Sequence, residues 1–176
     1  MFVDSHCHLT FEGLAQRIPD VLSAMSAAKV DEALCICTTI EEFPRVLALA
    51  VEHPRLWATA GVHPDTENLS EPTAQELVAL AQHPRVLAIG ETGLDYYRLN
   101  GRSVADMEWQ RERFRQHIRA AKAIAKPLVV HTREASADTL GILAEEGAGA
   151  VQGVFHCFTE TEAVARAALE IGRAHV

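Results

Sequence analysis

Residues 104–131 read VADMEWQRERFRQHIRAAKAIAKPLVVH, and this stretch indicates the fold class more clearly than any other. Its apolar residues Trp109, Phe114 and Ile118 recur at about the helical period, with arginine, glutamate and glutamine between them. Pro127 ends the helical pattern, and the apolar run LVV that follows ends in His131. Such a run is typical of a strand buried on both faces, so the stretch predicts a helix followed by a parallel strand.

The same alternation repeats along the rest of the chain. Predicted strands cover residues 2–9, 30–39, 56–62, 86–91, 127–131 and 152–157. Predicted helices cover residues 13–29, 41–53, 71–83, 104–125, 136–146 and 160–169. Six strand–helix units predict an α/β fold with a parallel sheet, which fits both a (β/α)₈ barrel and an open doubly wound sheet. No Gly-x-Gly-x-x-Gly follows a predicted strand, which argues against a dinucleotide-binding open sheet.

The composition is that of a soluble protein with one domain. The chain has 176 residues, 48% hydrophobic and 23% charged, and it contains no apolar run long enough to span a membrane. The start of the chain has no basic segment followed by a cleavage site, so we expect a cytoplasmic protein. The four cysteines, Cys7, Cys35, Cys37 and Cys157, lie in apolar stretches, which favours reduced, buried thiols over disulfides.

The formal net charge of −8 restricts how this protein can bind a nucleic acid. Proteins that bind the phosphate backbone through counterion release usually present a basic face, and the composition predicts none. If a phosphate backbone is the substrate, bound metal has to supply most of the local positive charge.

Residue types that bind metals fall at the ends of four predicted strands. In a barrel these ends converge on one rim, which is where barrel enzymes have their active sites. His6 and His8 are two residues apart on a strand, so both imidazoles face the same way and can chelate one ion. Glu91 directly follows an apolar run, where a carboxylate is costly to bury unless it is paired or binds a cation. His131 and His156 end the fifth and sixth strands.

The remaining histidines have other interpretations. His63 follows the third strand on the same rim, so it is either a substrate or outer-sphere contact or a simple turn residue. His53 and His83 each precede a proline after a helix, His117 lies inside a helix and His175 is near the end of the chain. We interpret these four as structural or solvated.

Five motifs in order resemble those of the TatD-like deoxyribonucleases, a branch of the amidohydrolase-like barrels. The resemblance covers about residues 1–169, a partial TatD-like domain. The motifs are DSHCHL at residues 4–9, GVHP at 61–64, AIGETGLDYY at 88–97, VVHTREA at 129–135 and GVFHCF at 153–158.

The resemblance implies an incomplete (β/α)₈ barrel, with about six of eight units present, that binds two divalent ions (Zn, Mg or Mn). It implies that His6 and His8 bind the first ion, that Glu91 bridges and is catalytic, and that His131 and His156 bind the second. Substrate contacts are expected from Arg133, His63 and Tyr96, and Asp95 is expected to line the site. The alternatives are an exposed loop arginine for Arg133, a packed aromatic for Tyr96 and a capping residue for Asp95. The implied reaction is cleavage of phosphodiester bonds in DNA by a metal-activated water, with no protein partner or membrane.

The chain also departs from the family pattern. The family's aspartate after the eighth strand has no counterpart, and we expect strands seven and eight to be absent. Residues 170–176 read EIGRAHV, which we interpret as a non-native tail derived from a sequencing adapter. We therefore expect a fragment with little activity of its own. The alternative functions are hydrolysis of another ester or amide, such as D-aminoacyl-tRNA deacylation, or metal binding without catalysis.

Overall fold

The computed structural model describes residues 2–172 and 174–175, and within them strands and helices alternate as predicted. The strands are β1 (Phe2–Cys7), β2 (Val30–Cys35), β3 (Leu56–Ala60), β4 (Val86–Asp95), β5 (Leu128–Arg133), β6 (Gly153–Phe155) and β7 (Ala174–His175). The helices are α1 (Ile18–Ala27), α2 (Phe43–Glu52), α3 (Ala74–Ala81), α4 (Glu108–Ile124), α5 (Ser136–Glu145) and α6 (Glu162–Ile171).

The order of the strands decides between the two predicted architectures. All pairs are parallel, and each strand lies beside the next one in the chain, from β1 to β7. A doubly wound sheet reverses its direction of growth at a switch point, whereas a barrel adds strands in one direction. The strands curl into a half-barrel with the helices between them, so the carboxyl ends of β1 to β6 lie along one rim.

The helices pack on the outer side of the sheet through fully buried aliphatic and aromatic side chains. Leu56 and Ile89 come from the strands, and Leu77, Phe114 and Ile118 come from α3 and α4. Each such side chain contributes about 1.5–3 kcal/mol when it leaves water. This packing holds the strand ends at fixed positions, which a site at the rim requires.

Helix α4 also buries a polar face against the loops of the rim. The Gln110 amide oxygen accepts a hydrogen bond from the Asp95 N–H at 3.0 Å. The Arg113 guanidinium, on a residue only 3% exposed, donates to the carbonyls of His63, at 2.9 Å, and of Thr66, at 2.8 Å. These bonds satisfy backbone groups of the segments that follow β3 and β4, so α4 fixes those segments by hydrogen bonding as well as by packing.

His117 belongs to the same face of α4 and is completely buried. Its Nε2 accepts from the Val62 N–H at 3.0 Å, and its Nδ1 donates to the Arg113 carbonyl at 2.8 Å. Both bonds require a neutral ring with the proton on Nδ1. Burial lowers the pKa of His117 to about 4, against the hydrogen bond to the Arg113 carbonyl, which raises it. The structural role of His117 is therefore to hydrogen-bond two backbone groups inside the core.

Several boundaries differ from the sequence prediction, and the end of β4 and the start of α1 are two of them. Glu91 does not end β4, because a register shift between Ile89 and Thr92 lets the strand resume pairing with β5 as far as Asp95. Gly90 lies at that shift with φ of +148°, and a Cβ there would lie 2.7 Å from the Val129 carbonyl oxygen. Helix α1 begins at Ile18 rather than at residue 13, after a short 3₁₀ turn.

A short seventh strand was not expected. Ala174 and His175 pair in parallel with Gly153 and Val154 of β6, after α6 has continued to Ile171. Gly172, with φ of +135°, returns the chain toward the sheet. The proposed non-native tail, residues 170–176, includes residues 173 and 176, which lie outside the described residues.

The cysteines follow the prediction in part. All four are free thiols, and Cys35 and Cys37 are buried, but Cys157 is exposed because it follows the end of β6 on the rim. In the described part of the chain, the structure contains no helix of the length and apolarity needed to cross a membrane.

We predict that His117 makes the free energy of unfolding depend on pH between about 4 and 6.5. The native state keeps the ring neutral down to about pH 4, whereas the unfolded chain binds the proton below about 6.5. Stability is therefore full above pH 6.5 and falls as the pH drops, by about 3 kcal/mol at most. The glutamine in His117→Gln can accept from Val62 without titrating, so the slope should flatten in urea unfolding at several pH values. The variant His53→Gln, at the end of α2, should keep the wild-type slope, and equal slopes in all three proteins would contradict this role.

Candidate metal centre

The five predicted metal ligands meet at the carboxyl rim of the half-barrel. His6 lies in β1 and His8 directly follows that strand, Glu91 lies in β4, His131 lies in β5 and His156 directly follows β6. Four separate strands therefore deliver the five side chains to one place. The curl of the sheet brings β1 back toward β6, so that the rings of His6 and His156 stack with centroids 3.9 Å apart.

Glu91 lies at the centre of this group and is only 2% exposed. Its Oε1 is 2.6 Å from His156 Nε2 and 3.2 Å from His131 Nδ1. Its Oε2 faces the other way, 3.3 Å from His6 Nε2 and 3.9 Å from His8 Nε2. One carboxylate thus presents a different oxygen to each of two sets of nitrogens, which is the arrangement that a bridging ligand needs.

The chemistry of the donor atoms fits bound cations. The Nε2 atoms of His6 and His8 lie 3.2 Å apart, close enough to bind one ion together. The Nδ1 atoms of His6, His8 and His156, together with Glu91 Oε2, are buried without a hydrogen bond among the described residues. Buried polar atoms rarely lack partners unless an ion or water satisfies them. Two groups of ligands share Glu91: His6 with His8, and His63 with His131.

The charges around Glu91 keep this carboxylate ionised. Burial opposes ionisation, but the neighbouring imidazoles of His131, His156, His6 and His63 outweigh burial and hold the Glu91 pKa far below its usual range. Burial lowers the pKa of His8, and Glu91 raises it only in part, which favours the neutral ring that a metal requires. The cluster combines an anionic bridge with imidazole nitrogens, a donor set suited to zinc and to related divalent ions.

The structure places His63 within this cluster. Its Nε2 lies 3.3 Å from Glu91 Oε1, and its Nδ1 lies 2.5 Å from Asp65 Oδ1. Burial lowers the pKa of His63, but the bonds to Asp65 and Glu91 raise it overall to about 9. His63 nevertheless lies close enough to Glu91 and His131 to share one ion with them, which would bind its neutral ring. His63 is therefore a candidate donor on geometric grounds, in addition to the substrate or outer-sphere role expected from the sequence.

Two carboxylates orient histidines of the cluster. The sequence analysis missed Asp65 and expected Asp95 only to line the site. Asp95 Oδ2 lies 3.1 Å from His131 Nε2, and Asp65 holds His63. Carboxylates that bond the second nitrogen of a metal-binding histidine fix its tautomer and orientation. Each of these aspartates follows a motif residue closely in the sequence. Asp65 lies two residues after His63, and Asp95 lies four residues after Glu91.

The two remaining predicted substrate contacts lie outside the cluster. Tyr96 is buried, and its hydroxyl donates to Asp138 Oδ2 at 2.7 Å and accepts from Arg111, so it faces α4 and α5 rather than the cluster. Arg133 is exposed at the end of β5, and its guanidinium lies 3.6 Å from the centre of the Tyr97 ring. Arg133 remains available to a substrate at the rim, whereas the Tyr96 side chain does not face it.

An open cavity of about 450 Å³ lies over the cluster. His8, Glu91, His131 and His156 form its floor, and Phe11, Thr38, His63, Asp65 and Thr66 complete its lining. A smaller, more enclosed space under α6 is lined by core residues such as Leu143 and Phe155 and lies away from these groups. The open cavity is therefore where a substrate would reach the histidines and Glu91.

A parallel barrel with histidines and a carboxylate on its carboxyl rim defines the class of metal-dependent hydrolases. The family model described as TatD related DNase matches residues 3–174. The chain therefore belongs to the TatD family, which confirms the resemblance inferred from the five motifs.

Individual relatives agree with this assignment. The chain is 40% identical over 174 residues to the uncharacterized metal-dependent hydrolase YcfH of Escherichia coli K12, covering 97% of this chain and 63% of the relative. It is 39% identical over 154 residues to the 3'-5' ssDNA/RNA exonuclease TatD of Cronobacter turicensis, covering 87% of this chain and 57% of the relative. The chain thus spans less than two thirds of these relatives.

The likeness to a solved structure confirms the predicted fold class. The crystal structure of YJJV, a TatD homologue from Escherichia coli K12, superimposes with a TM-score of 0.88 at 27% identity, covering 98% of this chain and 66% of that one. The architecture is therefore that of an incomplete (β/α)₈ barrel. The relatives' names also support the expected class of hydrolase and its dependence on metal.

We predict that Zn²⁺ or Mn²⁺ raises the melting temperature of the chain and that Glu91→Gln abolishes most of this effect. An ion at a hundredfold excess over its dissociation constant stabilises the native state by about 2.7 kcal/mol, or about 5–10 °C for a chain of this size. The amide keeps the shape of the side chain but loses the charge between the two sets of nitrogens. The measurement is thermal unfolding with and without metal, and the exposed Glu52→Gln serves as the control. A full metal-induced shift in Glu91→Gln would contradict the central role of Glu91.

Proposed function

We propose that this chain carries most of the active site of a nuclease that hydrolyses phosphodiester bonds at the ends of nucleic acids with divalent metal ions. The observation that supports the proposal most directly is the position of Glu91, whose two oxygens face two separate sets of imidazole nitrogens. Pairs of ions bridged in this way are used by phosphatases and nucleases for in-line displacement at phosphorus. The name of the Cronobacter relative supports a nucleic acid as the substrate.

The proposed ligands divide between the two oxygens of Glu91. His6 and His8 would hold one ion with Oε2, and His131 would hold a second ion with Oε1, together with His156 or His63. Bound divalent ions would lower the pKa of a coordinated water and would neutralise charge on the attacked phosphate. Asp95 and Asp65 keep His131 and His63 in fixed orientations.

Arg133 is proposed as the phosphate contact. Its guanidinium is exposed on the rim, two residues past His131. The N–H groups along the edge of the guanidinium that does not face Tyr97 can donate to two phosphate oxygens. With a net charge of −8 the chain as a whole does not attract a polyanion, so this local cation and the metal site would provide the electrostatic attraction.

We predict that Glu91→Gln reduces nuclease activity much more than Arg133→Ala when each is made at the matching position of a full-length relative. Glu91→Gln removes the charge that holds both ions, and kcat/KM should fall on the order of a thousandfold, as when a group that stabilises the transition state is lost. Arg133→Ala removes one charged hydrogen-bonding contact, so the loss should be about 10–100-fold and should appear mainly in KM.

The assay measures release of nucleotides from labelled oligonucleotides with Mn²⁺, and Glu52→Gln again serves as the control. Near-normal turnover by Glu91→Gln would rule out the bridging role. A parallel assay with a carboxylic ester and a D-aminoacyl-tRNA tests the substrate class. Metal-dependent turnover of those substrates without cleavage of oligonucleotides would overturn the proposed nuclease function.

A further inference from the structure

Phe11 is a half-exposed aromatic residue at the edge of the cavity. Its ring lies nearly parallel to the His8 ring, with centroids 4.6 Å apart and 16° between the planes. The residue is 47% exposed, although it is large and apolar. The Phe11 N–H donates to the His8 carbonyl, and the Phe11 carbonyl accepts from the N–H groups of Leu14 and Ala15. The turn therefore holds the ring against His8, with the exposed part of the ring at the cavity.

Tyr97 is a second exposed aromatic residue on the same rim. It is 51% exposed, and the Arg133 guanidinium stacks on its ring at 3.6 Å from the centroid. The Tyr97 N–H donates to Asp95 Oδ1 at 2.9 Å, and the other oxygen of Asp95 lies 3.1 Å from His131. The carboxylate that orients His131 thus also fixes the backbone that presents this stack.

The two aromatic groups flank the cluster on different sides. Phe11 stacks on His8, whose nitrogen belongs to the set facing Glu91 Oε2, whereas Tyr97 is tied through Asp95 to His131, which faces Oε1. Phe11 lines the cavity of about 450 Å³, a volume within the usual range for small-molecule sites, about 300–1,000 Å³. One planar surface is therefore connected to each side of the Glu91 carboxylate.

The charge of the chain explains why planar surfaces matter here. Proteins that bind single strands combine a basic groove with aromatic rings, and stacking contributes about 1–3 kcal/mol per base without regard to sequence. This chain has an excess of acidic residues, so the basic groove is replaced by local charges at the metal site and Arg133. Stacking is then the remaining source of affinity for the nucleotides beside the reacting phosphate.

We propose that Phe11 and the Tyr97–Arg133 stack are base-stacking platforms for the nucleotides beside the reacting phosphate. This inference rests on the proposed nuclease function and adds to it the residues that hold the bases. A base inside a duplex has both faces covered by its neighbours, whereas an unpaired base has faces free to contact Phe11 or the Tyr97–Arg133 stack.

The experiment is an abasic scan of binding to the 176-residue chain. A phosphorothioate-linked pentathymidine resists cleavage, and each base in turn is removed while affinity is measured by fluorescence anisotropy with Mn²⁺. In the wild type, removal of the base at two positions should weaken binding about tenfold each. Phe11→Leu should abolish the effect at one of these positions, and Tyr97→Leu should abolish it at the other. Phe11→Tyr keeps an aromatic ring and should retain the wild-type profile.

Two controls separate stacking from other effects. Leu14→Ala removes an exposed apolar side chain from the same turn as Phe11 and should leave the profile unchanged. Titration calorimetry with Mn²⁺ should give the same metal affinity for Phe11→Leu as for the wild type. A weaker metal affinity would instead assign Phe11 to support of His8.

The outcomes also separate this inference from the proposed function. Tight binding by the wild type that is indifferent to every missing base overturns the stacking role alone. If the wild type binds metal but no oligonucleotide, both the nuclease proposal and this inference are overturned.

Discussion

The buried charge of Glu91 is the constraint on which the rest of the rim depends. A carboxylate that is 2% exposed would be strongly destabilising without compensation, and here imidazole nitrogens surround both of its oxygens. Those nitrogens come from strands across the whole sheet. The curl of the half-barrel is therefore needed to bring them to Glu91, and their contacts with Glu91 in turn stabilise the curled arrangement. Glu91 Oε2 has no hydrogen-bond partner among the described residues, and a cation held with the nitrogens of His6 and His8 would satisfy it.

Helix α4 supports this cluster through backbone hydrogen bonds rather than by supplying a ligand. Its outer face carries arginines paired with glutamates, such as Arg119 with Glu146, whereas its inner face buries Gln110, Arg113 and His117. The inner face supplies hydrogen bonds to the backbone next to His63 and to Asp95. A helix that contributed only apolar packing would leave those backbone groups unsatisfied and their loops less well defined.

The sequence predicted the fold and the position of the cluster because both depend on local patterns. Alternating apolar runs and helical periods predict strands and helices, and a parallel sheet with all its strands in chain order places the strand ends together. The orientations of side chains that depend on tertiary contacts could not be predicted from these local patterns. Tyr96 and Tyr97 are adjacent and chemically alike, yet one is buried toward Asp138 and the other is exposed on the rim. The continuation of β4 beyond Glu91 depends on a register shift against β5, which periodicity does not encode.

The stacked rings of His6 and His156 have a consequence for how the molecule is assembled. They join the first strand to the sixth, so this contact has one of the greatest sequence separations that the described chain allows. Contacts of this kind form late, because the intervening chain has to be ordered first. Strands that emerge from the ribosome in order can build the sheet stepwise, but the two halves of the cluster meet only when the sixth strand is in place. Ion capture would then be a final event of folding that locks a nearly complete arc, rather than a nucleus around which the arc grows.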